Sequence, residues 1–159
     1  MKKNEKMKNL IDELGLDFHT AKNCKLPLEL QEIVDQGVIF SKGILIFSTN
    51  LKTMKHTSSA RFIDLTGLEC FINKTSVDSY LENPSRKELL GVLISFFYAT
   101  SKILRTANKP IKIIAGFQDD EFLTATLRFH LIREGEDWLV PDLESYKEDA
   151  LMIDNINCI

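Results

Sequence analysis

A chain of 159 residues, 44% hydrophobic and 27% charged, has the size and composition of one globular domain able to bury its own core. No run reaches the roughly 20 apolar residues of a membrane helix, and the charged start MKKNEKMKNLIDELG lacks the apolar stretch of a signal peptide. The formal net charge is only −3, but residues 119–159 carry eleven acidic side chains against three basic ones. No basic stripe is interleaved with aromatics, so nucleic acid is not an expected partner, and a basic protein is easier to accommodate.

In chain order, residues 4–14 place Met7, Leu10, Ile11 and Leu14 on one face, which predicts a short amphipathic helix closed by Gly15. Residues 16–26 read as loop. Pro27 suits the first turn of a second helix, and residues from Leu30 to Leu51 recur at spacings of three and four, which predicts a long helix over residues 28–52. A hairpin is the rival there: VIF and ILIF are β-branched and aromatic runs around Ser41-Lys42-Gly43, and Gly37 and Gly43 weaken a helix. Met54 to Ser59 reads as a polar loop. Ala60–Leu65 and Leu68–Asn73 then read as two strands of a hairpin around Thr66-Gly67. Ser76 is placed to cap a short helical turn through Leu81.

Ser85 to Asn108 is the central helix. Its S-x-x-E start, Ser85 to Glu88, is a capping box, and Asn108-Lys109-Pro110 stops it. Leu89, Val92, Leu93, Phe96, Phe97, Ile103 and Leu104 make one broad apolar face, with Leu90, Ile94 and Tyr98 extending it. Ile111–Phe117 reads as a strand, and Gln118 to Glu121 as its turn. Phe122–Arg133 is the clearest strand: Leu123, Ala125, Leu127, Phe129 and Leu131 point one way, while Thr124, Thr126, Arg128 and His130 point the other. Glu134 to Asp137 is a charged turn. Trp138-Leu139 opens a segment broken by Pro141, Asp142–Asp149 reads as a short acidic helix, and Ala150–Asp154 as a last buried strand. There is no internal repeat and no linker. Residues 1–159 therefore form a single α+β domain, a mostly antiparallel sheet of about five strands with two long helices on one face. The polar face of the strand over 122–133 is expected to lie open to solvent or a partner.

Nucleotide-loop, dinucleotide, zincin and serine-elbow motifs are all absent, so no catalytic residue is assigned. His19 and Cys24 have no second pair of metal-ligand type, and neither a metal nor a cofactor is expected. Asp64 and Glu69 are read as strand terminators or partners of lysine, and Cys70 as a small buried hydrophobe. The three cysteines, Cys24, Cys70 and Cys158, lack close pairing, which suits free thiols in the cytoplasm. Two acidic turns remain, Asp119-Asp120-Glu121 and Glu134 to Asp137, at opposite ends of one strand. The second adjoins Trp138 and the acidic segment with Asp142 and Glu144. Carboxylates around an aromatic anchor suit a surface for a basic protein, so Glu134, Glu136, Asp137, Trp138, Asp142 and Glu144 are the candidate partner-binding residues. Arg128 and His130, on one strand face, form the alternative candidate site, for ligand or acid–base work.

The stretches RFHLIREGEDWLVPDLESYKEDALMIDN, Arg128 to Asn155, and FIDLTGLECFIN, Phe62 to Asn73, resemble the small α+β immunity proteins of bacterial contact-dependent inhibition and polymorphic toxin systems. The resemblance implies a cytoplasmic, non-enzymatic, stoichiometric inhibitor that binds one cognate toxin domain, often a nuclease, and blocks its active site or substrate groove. It carries over no contact residue. The alternative is a small enzyme or ligand-binding domain using the polar sheet face around Arg128 and His130. Either would be a monomer or a homodimer.

Overall fold

In the computed structural model, which describes residues 1–157, a two-residue strand β1 (Lys2–Lys3) leads directly into helix α1 (Glu5–Glu13). Asn4 joins the two. Its Oδ1 accepts from Met7 N at 3.0 Å and from Leu151 N at 2.9 Å, so one buried side chain caps the helix and ties it to the far end of the chain. A four-residue helix α2 (Phe18–Ala21) follows within the expected loop, capped by Asp17, which accepts from His19 N and Thr20 N. Helix α3 (Leu28–Gln36) begins after Pro27 as read, but ends where Gly37 turns to φ +72°.

Residues 38–47 then form the hairpin β2 (Val38–Ser41) and β3 (Ile44–Phe47), not the second half of a long helix. The deciding residues are Lys42 and Gly43, both at positive φ, the two-residue turn that matches the twist of paired strands. All four residues of β3 are buried. Leu45 and Phe47 enter the main core, while Ile44 and Ile46 meet Met54, Leu68 and Ile72 in a second, smaller cluster. This two-sided burial explains why the stretch lacks strict alternation and mimics helical spacing.

Helix α4 (Leu51–His56) and then α5 (Leu65–Ile72) come next, with a 3-10 turn at Ser59–Arg61 between them. Helix α5 replaces the expected hairpin over Ala60–Asn73. Asp64 is its N-cap, accepting from Gly67 N at 2.7 Å, so the residues read as a strand end and turn are a helix start. Strand β4 (Thr75–Ser76), a 3-10 turn at Val77–Tyr80 and helix α6 (Arg86–Arg105) follow. Helix α6 starts as its sequence demands, Ser85 Oγ accepting from Glu88 N at 3.1 Å, and its apolar residues from Leu89 to Phe97 fill the core. The chain ends in β5 (Ile111–Asp119), β6 (Leu123–Leu131) and β7 (Ala150–Ile156). Cys158 lies outside the described residues.

The sheet is five-stranded and antiparallel, in the order β1-β7-β5-β6-β4. Its inner face, including Ile113, Ala115, Phe117, Leu127, Phe129 and Met152, packs on α6. The α+β architecture is thus as read from the sequence, with one long helix and several short ones against that face. The segment over 142–149 is a 3-10 turn, Leu143–Ser145, in place of an acidic helix. Its side chains are held elsewhere: Glu144 accepts from Glu5 N at the start of α1, and the Tyr146 hydroxyl accepts from Val140 N.

Beyond β4, the edge of β6 is closed by side chains rather than by another strand, and so is the edge of β3 facing it. Buried Glu69 accepts from Leu45 N (2.6 Å) through one oxygen, and from Leu131 N (2.9 Å) and Arg133 Nη1 (2.7 Å) through the other. One turn on, buried Asn73 accepts from Phe47 N (3.1 Å) and donates to Leu45 O (2.8 Å) and Phe129 O (3.2 Å). The pair saturates two strand edges that would otherwise carry bare amides. Asn73→Ala leaves an amide and two carbonyls without these partners and is expected to cost about 3 kcal/mol. Asp64→Ala removes only a helix cap and should cost about 1 kcal/mol. Urea unfolding of both variants checks the ranking, and equal losses would contradict the edge-closing role.

Candidate binding surface

The alternation of β6 sends Thr124, Thr126, Arg128 and His130 to the outer face of the sheet, as read. That face is only half open, because the chain between β6 and β7 runs back across it. Asp137 pairs with Lys112 on β5, Trp138 lies over Arg128, and Pro141 and Leu143 reach the edge near Lys2 and Ile153.

Arg128 and His130 do not form one site. Arg128 Nη1 donates to Cys70 O at 3.1 Å, and its Cζ stands 4.9 Å from the centre of the Trp138 ring. Burial lowers its pKa from the ordinary value. His130 is buried, and its Nδ1 lies 2.8 Å from Leu131 O, which assigns the ring proton to Nδ1. Among the described residues its Nε2 makes no hydrogen bond, with Asp137 Oδ1 3.7 Å away. Burial pulls its pKa below the usual 6.5, against the opposing pull of the Leu131 carbonyl and Asp137. Cys70 is buried too, and desolvation pushes its thiol up to about 12, so it behaves as a small hydrophobe. Glu69, read as a strand terminator or a partner of lysine, is the buried edge closer described above and pairs with Arg133.

The six candidate partner-binding residues occupy different settings. Glu134 is exposed and makes no hydrogen bond or ion pair among the described residues. Glu136 turns inward, accepting from Thr66 N (3.1 Å) and Thr66 Oγ1 (2.9 Å) at the start of α5, where a negative charge meets the helix dipole. Asp137 is shared between Lys112 and the edge of His130. Trp138 is 41% exposed. Asp142 caps its own turn by accepting from Glu144 N, and Glu144 is held at Glu5. Much of the acidic charge of the C-terminal part is therefore engaged in holding the fold.

What the sequence reading missed is the apolar company of Trp138. Phe62, Ile63, Asp64, Gly67, Arg61, Asp137 and Trp138 enclose an open cleft of about 410 Å³, and Phe71 extends it, its ring 5.3 Å from that of Phe62. Ile63 is fully exposed and Phe71 is 54% exposed. An exposed cluster of this kind on a small protein is the feature that marks an interaction site. Its signal lay in α5: once Asp64 is a cap, Leu68 and Ile72 take the buried face and Phe71 is left outside.

Among the described residues no group of His, Cys, Asp and Glu is arranged to hold a metal ion, and no helix is long and apolar enough to cross a membrane. Fold and surface together define a small α+β protein with an aromatic cleft rimmed by charge. Residues 2–159 match the model of the family described as "Uncharacterized protein PM0498 family", and the chain belongs to that family. It is 28% identical over 138 residues to "Uncharacterized protein PM0498" of Pasteurella multocida (strain Pm70), covering 84% of each chain. No solved structure matches it significantly.

His130 yields a pH test. Its folded pKa lies below 6.5, so on acidification the unfolded chain takes up a proton that the folded chain resists. Its contribution therefore makes stability fall as the pH drops below about 6.5, down to the depressed folded pKa. Urea midpoints measured between about pH 7.5 and 5.5 should decline in the wild type and less steeply in His130→Gln. Parallel curves would show that His130 does not titrate as its burial requires.

Proposed function

We propose that this protein is a non-enzymatic immunity protein that binds a cognate bacterial toxin domain in the cytoplasm and blocks its active site or substrate groove. The observation that carries this reading is the exposed cluster of Trp138, Phe62, Ile63 and Phe71, bordered by Asp64 and Asp137, with the exposed Glu134 three residues before Asp137 in the same turn. Aromatic anchors supply the contact area from which binding energy is concentrated, and rim carboxylates steer a basic partner to it. A toxin domain with a basic substrate groove, as a nuclease has, is the complement in charge. The surplus of acidic residues over 119–159 adds to the steering field.

Co-expression with the polypeptide encoded immediately upstream tests the reading. The expected result is a one-to-one complex on size exclusion, and rescue of growth from that neighbour's toxicity. Within such a complex, Trp138→Ala and Phe71→Ala should each weaken binding by about 2 kcal/mol, mainly through faster dissociation. Glu134→Lys should instead slow association, and the deficit should shrink as salt is raised. A neighbour that is neither toxic nor bound would refute the immunity role. A complex indifferent to all three changes would move the interface elsewhere.

A further inference from the structure

Arg128 has a second side that faces away from the aromatic cleft. A groove of about 220 Å³ runs over the outer face of the sheet there, floored by Gly116 and Thr126, walled by Trp138 and Tyr146, and backed by Ile114 and Leu151. It continues past Arg128 toward Lys74 and Ser76. Arg128 is the cation at its centre, and its state is unusual. It is half-buried and pinned by one hydrogen bond to a backbone carbonyl, with a tryptophan across its plane. Among the described residues no carboxylate lies within ion-pairing distance of it, whereas Arg86 and Arg133 both have carboxylate partners. A guanidinium removed from water without a counter-charge is a net cost to the fold, and its planar fork is pre-shaped for a carboxylate.

The two acidic side chains that also line this face are turned to other tasks. Asp78 Oδ1 accepts from Ala125 N at 2.9 Å, and Asp149 Oδ1 accepts from Gln118 Nε2 at 2.5 Å. Their charges nonetheless oppose those of Arg128 and Lys74, which makes the groove a poor host for a dianion and a fair one for a single negative charge. The remaining wall is apolar and aromatic. Gly116 keeps the floor open: a Cβ there would stand 3.3 Å from Thr126 Oγ1 and 3.6 Å from a Leu151 methyl.

We propose that this groove binds a small monocarboxylate, its carboxylate held by the fork of Arg128 and its apolar body laid between Trp138 and Tyr146 over Gly116. This site is separate from the toxin reading and does not depend on it.

Trp138 is the single tryptophan of the chain and lies on the Arg128 guanidinium, so its fluorescence reports directly on occupancy. The full-length protein is titrated with sodium butyrate, sodium acetate and sodium phosphate at constant ionic strength, with sodium chloride as control. A saturable change with butyrate is expected, with acetate roughly tenfold weaker because it lacks two methylenes. Phosphate and chloride should give no saturable response. Arg128→Met, checked for folding by circular dichroism, should abolish the butyrate response. Gly116→Ala, which leaves Arg128 untouched and fills the floor, should weaken it about tenfold. The proposal is overturned by a non-saturable butyrate response, by phosphate binding as tightly as butyrate, or by a response that survives in folded Arg128→Met. Should Arg128→Met fail to fold, unchanged butyrate affinity in Gly116→Ala overturns it equally.

Discussion

Two strand edges, those of β3 and β6, face each other across a gap that a backbone ladder does not fill, and the side chains of Glu69 and Asn73 bridge it. The geometry follows from helix α5, which presents residues four apart on one side at about the spacing of successive strand groups. Each side chain reaches both edges, so the small hairpin and the main sheet become one unit without sharing a ladder. A buried carboxylate in this position requires a cation, which Arg133 supplies from the turn after β6. Arg133 in turn donates to Gly43 O at the hairpin tip and to Thr66 Oγ1 at the start of α5. Much of what lies around the outer face is thereby fixed: the position of α5, the turn with Glu136, and the point from which Trp138 departs.

That dependence shapes the surface. The charged turn after β6 begins with a residue facing solvent, Glu134, and continues with one drawn back to the helix, Glu136. Two positions later Trp138 covers Arg128 on one side and borders the Phe62 and Ile63 cleft on the other. The same tryptophan therefore separates an apolar recess from a polar groove.

The parts of the fold legible in the sequence are those whose signals are local. The helix cap at Ser85, the apolar cylinder of α6, and the alternation along β6 each lie within a few turns or pleats of chain, and each stands where the sequence places it, although of the capping box only the Ser85 half forms. The stretch over residues 37–49 was ambiguous because β3 is buried on both sides, which erases the period of two. Only the backbone at Gly37, Lys42 and Gly43 separates the two readings. The role of Glu69 had no local signal at all, since its amide partners are 24 and 62 residues away. Glu136, a candidate partner-binding residue by its place in a charged turn, has its partner Thr66 70 residues distant, so its structural role lacks a local signal for the same reason. Arg128 and His130 share a strand face, but the chain returning across that face gives them different surroundings, and no spacing rule anticipates that.

The place of β7 has a consequence for how the molecule comes into being on the ribosome. This strand is the last of the described elements to be made, yet it sits inside the sheet, between β1 and β5; Asn4 accepts from its Leu151 N and donates to the Asp149 carbonyl just ahead of it. During synthesis, α1 and the central strand β5 wait with one flank uncovered until residues 150–156 have left the exit tunnel. Closure is then a long-range step that joins the two extremes of the described chain, the kind of contact that slows folding most. The nascent protein thus passes through a stage in which a bare sheet edge and an undocked helix are available to other chains.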